Sequence, residues 1–285
     1  MGGGAVDFVQ DITEFIFVEH KPEKADIIFS GAGLPLDLPS YLREDSTTKL
    51  VPIVSSARAA RVICENWKAN YDYLPDALVV EGPKAGGHLG YKREQIDNAD
   101  YSLERIVPEV VSEVGRYEEL YGRRIPVIAA GGLYTGEDIY RIMRLGATGV
   151  QLGSKFVTTE ECDASPTFKQ TYIDSSKDDI EIIASPVGMP GRAIGGEFIR
   201  RVKEGLMRPK KCPFHCIKTC DYTKSPYCII MALYNAAKGN LSKGYAFCGA
   251  NAYMSKKITS VRETIESLKS EFAAACRRNG QTAVL

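Results

Sequence analysis

Five short apolar runs, each ending in small or polar residues, limit what this chain can fold into. They are DIIFSGAG (26–33), KLVPIVSS (49–56), DALVVEG (76–82), IPVIAAGG (125–132) and TGVQLGS (148–154). Runs of near-continuous Val, Ile, Leu and Ala fit strands covered on both faces, as in a parallel sheet. Between them the apolar spacing lengthens to that of a helix. Ala60, Ile63 and Trp67 share one face, and Val110, Val111, Val114 and Tyr117 share another, with Pro108 placed in a first helical turn. TGEDIYRIMRLGA (135–147) starts on Thr135, a hydroxyl suited to an N-cap, and stops at Gly146. Alternating strands and helices with Gly-rich strand ends predict an α/β fold.

Two α/β architectures compete, the open doubly wound sheet and the TIM-barrel-type (β/α)8 fold. No G-x-G-x-x-G opens a helix after a first strand, which weakens the dinucleotide-binding sheet. Gly131-Gly132 and Gly153-Ser154 instead end two successive late strands. Barrels build phosphate sites from such late loops, using backbone N–H groups. The barrel is therefore expected. A closed barrel needs eight strands, and the sequence before residue 26 is too short for three more βα units. The expectation is a barrel missing its first strands, its sheet edges open to aggregation or to pairing with a second copy as a homo-oligomer.

Charge and composition narrow the partners. Lys plus Arg and Asp plus Glu both number 36, so no net charge favours nucleic acid or an anionic membrane. The start, MGGGAVDFVQDITEF, lacks the basic and apolar regions of a secretory signal, and no stretch reaches membrane-span length. A cytoplasmic protein acting on a small molecule is expected.

The turn DALVVEGPKAGGHLGYK (76–92) raises the chemical question. A loop that only turns needs one Gly; Gly86-Gly87 followed by His88 suggests a backbone passing close to something, with a titratable ring beside it. EGPKAGGHLG, IPVIAAGG, GVQLGSKFVTTEE and SPVGMPGRAI occur in this order. Together they resemble the nitronate monooxygenase (2-nitropropane dioxygenase) family and its relatives, the FMN-dependent enoyl-acyl-carrier-protein reductases, from about residue 30 to Arg192.

That resemblance implies an FMN-binding barrel and an oxidoreductase. Gly131, Gly132, Gln151, Leu152, Gly153 and Ser154 would hold the flavin phosphate, and Glu81, Gly86 and Gly87 would lie along the flavin. His88 would face the substrate as acid, base or orienting group. The implied activity is oxidation of nitronates with oxygen to a carbonyl compound and nitrite. The alternative is NAD(P)H-driven reduction of an enoyl thioester. Glu81 stands where monooxygenase relatives often carry Gln, and Lys84 where many carry Glu; both departures bear on the substrate. Arg192 would either meet an anionic substrate or fix the loop.

The remaining sequence, 203–285, is read as a Cys-rich helical appendage to a partial barrel over 1–202. Cys212, Cys216, Cys220 and Cys228 space as C-x3-C-x3-C-x7-C, which on a helix would align the first three. The spacing matches neither a ferredoxin run nor a zinc knuckle, so small buried hydrophobes compete with metal ligands, and no metal site is assigned. A noncatalytic ligand- or metal-binding role is the reading of a different class. The last helix, from about Lys257, is expected to dock through Ile258, Val261, Ile265, Leu268 and Phe272.

Overall fold

The computed structural model describes residues 25–31, 33–209, 211–212 and 220–280. Its strands are β1 (Ile27–Ser30), β2 (Lys49–Val54), β3 (Leu78–Glu81), β4 (Gly87–His88), β5 (Val127–Ala130), β6 (Gly149–Gln151), β7 (Ile180–Ala184) and β8 (Pro190–Ile194). Its α-helices are α1 (Ala57–Tyr71), α2 (Leu103–Tyr121), α3 (Gly136–Met143), α4 (Ser154–Val157), α5 (Pro166–Asp174), α6 (Glu197–Lys203), α7 (Ile229–Ala237) and α8 (Val261–Arg278). The five apolar runs become one parallel sheet in the order β1-β2-β3-β5-β6. Among the described residues, β1 and β6 are its two edges, and Ile27 and Phe29 on β1 are 48% and 51% exposed.

The sheet is held by helices whose buried faces follow the predicted spacing. Ala60, Ile63 and Trp67 of α1 and Val107, Val110 and Val114 of α2 are buried in one core with Leu78, Val80 and Ala129. Trp67 is fully buried, and its indole N–H donates to the Pro35 carbonyl at 2.8 Å, which satisfies its one polar atom. Thr135 caps α3 in a reciprocal box with Asp138. Pro108 departs from expectation: α2 begins at Leu103, so the proline sits in the second turn. It removes the helical donor to the Glu104 carbonyl. Burial of Leu103, Ile106 and Val107 on the core favours the earlier start.

Two further readings are corrected. The Gly/Pro-punctuated sequence 185–202 reads as a loop running into a helix, yet Pro190–Ile194 is strand β8. It pairs antiparallel with β7 and with β4, giving a second sheet in the order β4-β8-β7. The docking face of α8 is also rotated. Ile258 precedes the helix and Ile265 is 41% exposed, whereas Thr264, Leu268, Ala275 and Cys276 are buried. The cause is close packing against α3: a Cβ on Gly136 would lie 2.2 Å from the Leu268 carbonyl oxygen and 2.4 Å from the Phe272 nitrogen. The Gly136 N–H donates to the Glu271 carboxylate at 2.7 Å. No helix of the described residues is long and apolar enough to cross a membrane.

Gly136→Ala is expected to lift α8 from α3, seen as faster hydrogen exchange across 261–278 while the five-stranded sheet keeps its protection. Gly115→Ala on α2 serves as the contrast, since its Cβ meets nothing within 4 Å. That change is expected to stabilise by about 0.5–1 kcal/mol in urea unfolding.

Candidate functional site

β3 delivers Glu81 to the carboxyl end of the sheet, and the chain then turns through 82–86 into the short strand β4. Arg192, on β8, holds that turn. Its side chain is 6% exposed, and its Nη1 donates to the carbonyls of Pro83 and Ala85, both at 2.6 Å. Of the two roles open to Arg192 in the sequence, the structure gives it the loop. β4 pairs with β8 through Gly87 opposite Arg192 and His88 opposite Gly191. The same arginine-bearing strand therefore sets both the turn and the histidine.

Gly86 lacks a side chain for a reason internal to the chain. A Cβ there would lie 2.5 Å from the Cys248 carbonyl carbon and 2.6 Å from the Gly249 nitrogen. The segment 245–251 returns here from the C-terminal region. Ile194 N–H donates to the Ala246 carbonyl at 2.9 Å, Cys248 N–H to the Arg192 carbonyl at 3.1 Å, and Ala250 N–H to the Lys84 carbonyl at 3.0 Å. Gly87 is different: it adopts φ +75°, and a Cβ on it would meet no atom within 4 Å. It faces open space.

That space is a cavity of about 370 Å³. Every residue singled out for cofactor contact lines it: Glu81, Gly86, Gly87, Gly131, Gly132, Gln151, Leu152, Gly153 and Ser154. The end of β5 supplies the glycine pair and the end of β6 supplies 151–154. A Cβ on Gly153 would also meet nothing within 4 Å, so the floor is an open cradle of backbone. The tail closes its side. Gly249 N–H donates to Ser154 Oγ at 2.7 Å, and Asn251 Nδ2 donates to the Gly132 carbonyl at 2.7 Å.

His88 does not line this cavity. It lines an adjoining one of about 730 Å³, and Glu81 lines both. The imidazole Nε2 is hydrogen-bonded to Ser185 Oγ at 2.7 Å, and its ring meets Phe247 edge-on with centroids 5.0 Å apart. Burial lowers the His88 pKa from its ordinary value, so the ring is neutral at pH 7. Burial pushes the Glu81 carboxyl the other way, up to about 7. Tyr91 donates to the Glu81 backbone carbonyl at 2.6 Å, leaving the carboxyl itself to the cavities. Cys248, on the smaller cavity, is pushed up to about 12 by burial and stays a thiol.

Sequence reasoning missed Phe247, Cys248, Gly249 and Asn251, which line the smaller cavity from far along the chain, and Ser185, which holds the histidine. The one local signal was Gly244 to Gly249, a small-residue stretch with two aromatics inside a region read as an appendage. Of the cysteine tetrad, Cys212 and Cys228 are half-buried and Cys220 is exposed; Cys216 lies outside the described residues. Cys228 precedes α7 as its N-cap residue. Among the described residues, no group of three or more His, Cys, Asp or Glu is placed to hold a metal ion.

Known proteins resemble this chain in sequence and in fold. A family model described as nitronate monooxygenase matches residues 9–271. A probable nitronate monooxygenase of Staphylococcus saprophyticus is 33% identical over 138 residues, 48% of this chain and 36% of that protein. The chain thus spans little more than a third of the length of such curated relatives. The structure of FabK from Thermotoga maritima superposes with a TM-score of 0.70 at 25% identity, covering 96% of this chain and 75% of that one. Nitroalkane oxidase from Streptomyces ansochromogenes shares the fold, with a TM-score of 0.67 at 21% identity over 98% of this chain and 73% of that one.

Arg192→Met is expected to leave two buried carbonyls without their donor and to cost about 2–3 kcal/mol in urea unfolding. Arg192→Lys is expected to recover part of that loss, since an ammonium keeps the charge but not the fork.

Proposed function

The chain belongs to the nitronate monooxygenase family, and from that premise we propose that it binds FMN and oxidises nitronates with oxygen to a carbonyl compound and nitrite. The observation that carries the proposal is the smaller cavity, on which Glu81, the two glycine pairs and residues 151–154 converge. Its size falls in the range of small-molecule sites. Backbone N–H groups and the Ser154 hydroxyl at the ends of β5 and β6 suit a phosphate, and the bare backbone at Gly87 and Gly153 leaves room for a flat ring. Flavin bound there would supply the electron acceptor that no side chain can provide.

The protein's own residues do the rest. His88, neutral at pH 7 and held through Nε2 by Ser185, can take a proton from a carbon acid in the adjoining cavity or orient its oxygens. Phe247 packs on the ring and limits its rotation. Buried Val54, Tyr91 and Ile106 line that cavity and keep water from one side of it. A second reading, reduction of an enoyl thioester by NAD(P)H, is favoured by one residue, Glu81, which stands where monooxygenase relatives often carry Gln.

Nitrite release on feeding a nitronate to the FMN-supplemented protein tests the first reading. NAD(P)H oxidation on adding a crotonyl thioester, with no nitrite formed, would favour the second and sink the first. His88→Asn is expected to lower kcat/KM by about 10²–10⁴-fold for a substrate that must lose a carbon-bound proton. If His88 is the base, kcat/KM falls on the acid side with a midpoint below 6.5, because burial lowers its pKa. A midpoint above that value would assign the proton to another group.

A further inference from the structure

The larger cavity has a charge pattern that its chemistry has to accommodate. Among the described residues that line it, three carry carboxyls and none is Lys or Arg. Asp100 and Glu109 are exposed, whereas Glu81 is half-buried and lines both cavities. Leu34, Ile53 and Met189 add apolar wall. The smaller cavity, which Glu81 also lines, has no basic side chain among its described lining residues. An anion placed beside His88 would therefore share its cavity with the Glu81 carboxyl and with no Lys or Arg among the described lining residues.

We propose that Glu81 determines substrate charge in this cavity. As a neutral acid it donates a hydrogen bond to a substrate oxygen. As a carboxylate it rejects the anion, so the site then takes small carbon acids only in their uncharged form. This inference rests on the reading of the two cavities as cofactor and substrate sites, and it goes beyond that reading in naming the charge state admitted and the residue that sets it. For a nitronate, an anion, binding is strong only while Glu81 is protonated. For the parent nitroalkane, which is neutral, ionisation of Glu81 removes a hydrogen bond but creates no charge repulsion.

The pH range follows from the environment of the group. Burial pushes Glu81 up to about 7, so it is neutral below and ionised above. Other titratable groups face it. His88 has its pKa lowered by burial, so its own charge appears only at lower pH. Tyr91, Tyr134 and Tyr172 are pushed upward by burial, as is the Cys248 thiol, and all stay neutral across the range. Tyr101, Asp100 and Glu109 complete the titratable groups of the larger cavity.

The test uses an unreactive pair of equal shape, isobutyrate and isobutyramide, titrated calorimetrically into FMN-supplemented protein from about pH 6 to about pH 8.5. Isobutyrate is expected to weaken about tenfold per pH unit above Glu81's midpoint, because only the protonated fraction binds it. Isobutyramide is expected to bind equally throughout. Glu81→Gln, which keeps the shape and removes the ionisation, is expected to make both curves flat. A flat isobutyrate curve in the unaltered protein overturns the proposal, as does an unchanged slope in Glu81→Gln, a parallel slope for the amide, or no binding of either probe. Flavin absorbance is read on the same samples. Absence of bound FMN would count against the cofactor reading alone, because the two-probe comparison is still decided by Glu81.

Discussion

The candidate site depends on one buried cation. Arg192 reaches from β8 into the turn after β3 and donates to two buried carbonyls, of Pro83 and Ala85, that lie between β3 and β4. Buried carbonyls need donors, and a guanidinium can serve two at once. The backbone of the same residue also accepts from Cys248 and lies opposite Gly87 in the antiparallel ladder. One residue thereby joins the parallel sheet, the small antiparallel sheet and the C-terminal return. Gly86, Cys248 and Gly249 meet at van der Waals limits because this tie draws them together.

With Arg192 spent on backbone, no Lys or Arg among the described residues lines either cavity, and the carboxyls on their linings are Glu81, Asp100 and Glu109. Desolvation then acts on Glu81 and His88 in opposite senses, favouring the neutral form of each. A neutral imidazole and a carboxyl pushed up to about 7 on the lining of one cavity suit proton handling rather than ion pairing. This fits chemistry in which a carbon-bound proton leaves and the electrons go to a bound acceptor.

Much of this was legible in the sequence, and the gaps have physical causes. The central strands β2, β3 and β5 announced themselves because burial on both faces demands uninterrupted apolar residues, and edge strand β1 carries a similar run although Ile27 and Phe29 stay exposed. Glycine pairs at their ends marked the cavity, although Gly86 proves to be small to admit the chain's own return. Strand β8 was hidden because Pro190-Gly191-Arg192 has neither alternation nor β-branched residues; its pairing is imposed by β4 and β7. The roles open to Arg192 were chemically equivalent until the Pro83 and Ala85 carbonyls were placed beside it. Phe247 and Asn251 reach the site through contacts more than a hundred residues long in sequence, which no local pattern records. The apolar stripe of α8 misled because Gly136 brings the helix backbone, not its largest side chains, against α3.

The central claim is that the cavity between β5, β6 and the C-terminal return holds FMN. The most direct measurement is a visible-absorption titration of the full 285-residue chain with FMN, repeated on Gly153→Glu. That position has an ordinary backbone conformation and open space around it, so the added carboxylate enters the cavity without straining the chain. The account predicts a bound-flavin spectrum for the unaltered protein and its loss in Gly153→Glu, with urea unfolding unchanged. Equal flavin binding by both proteins, or none by either, would contradict it.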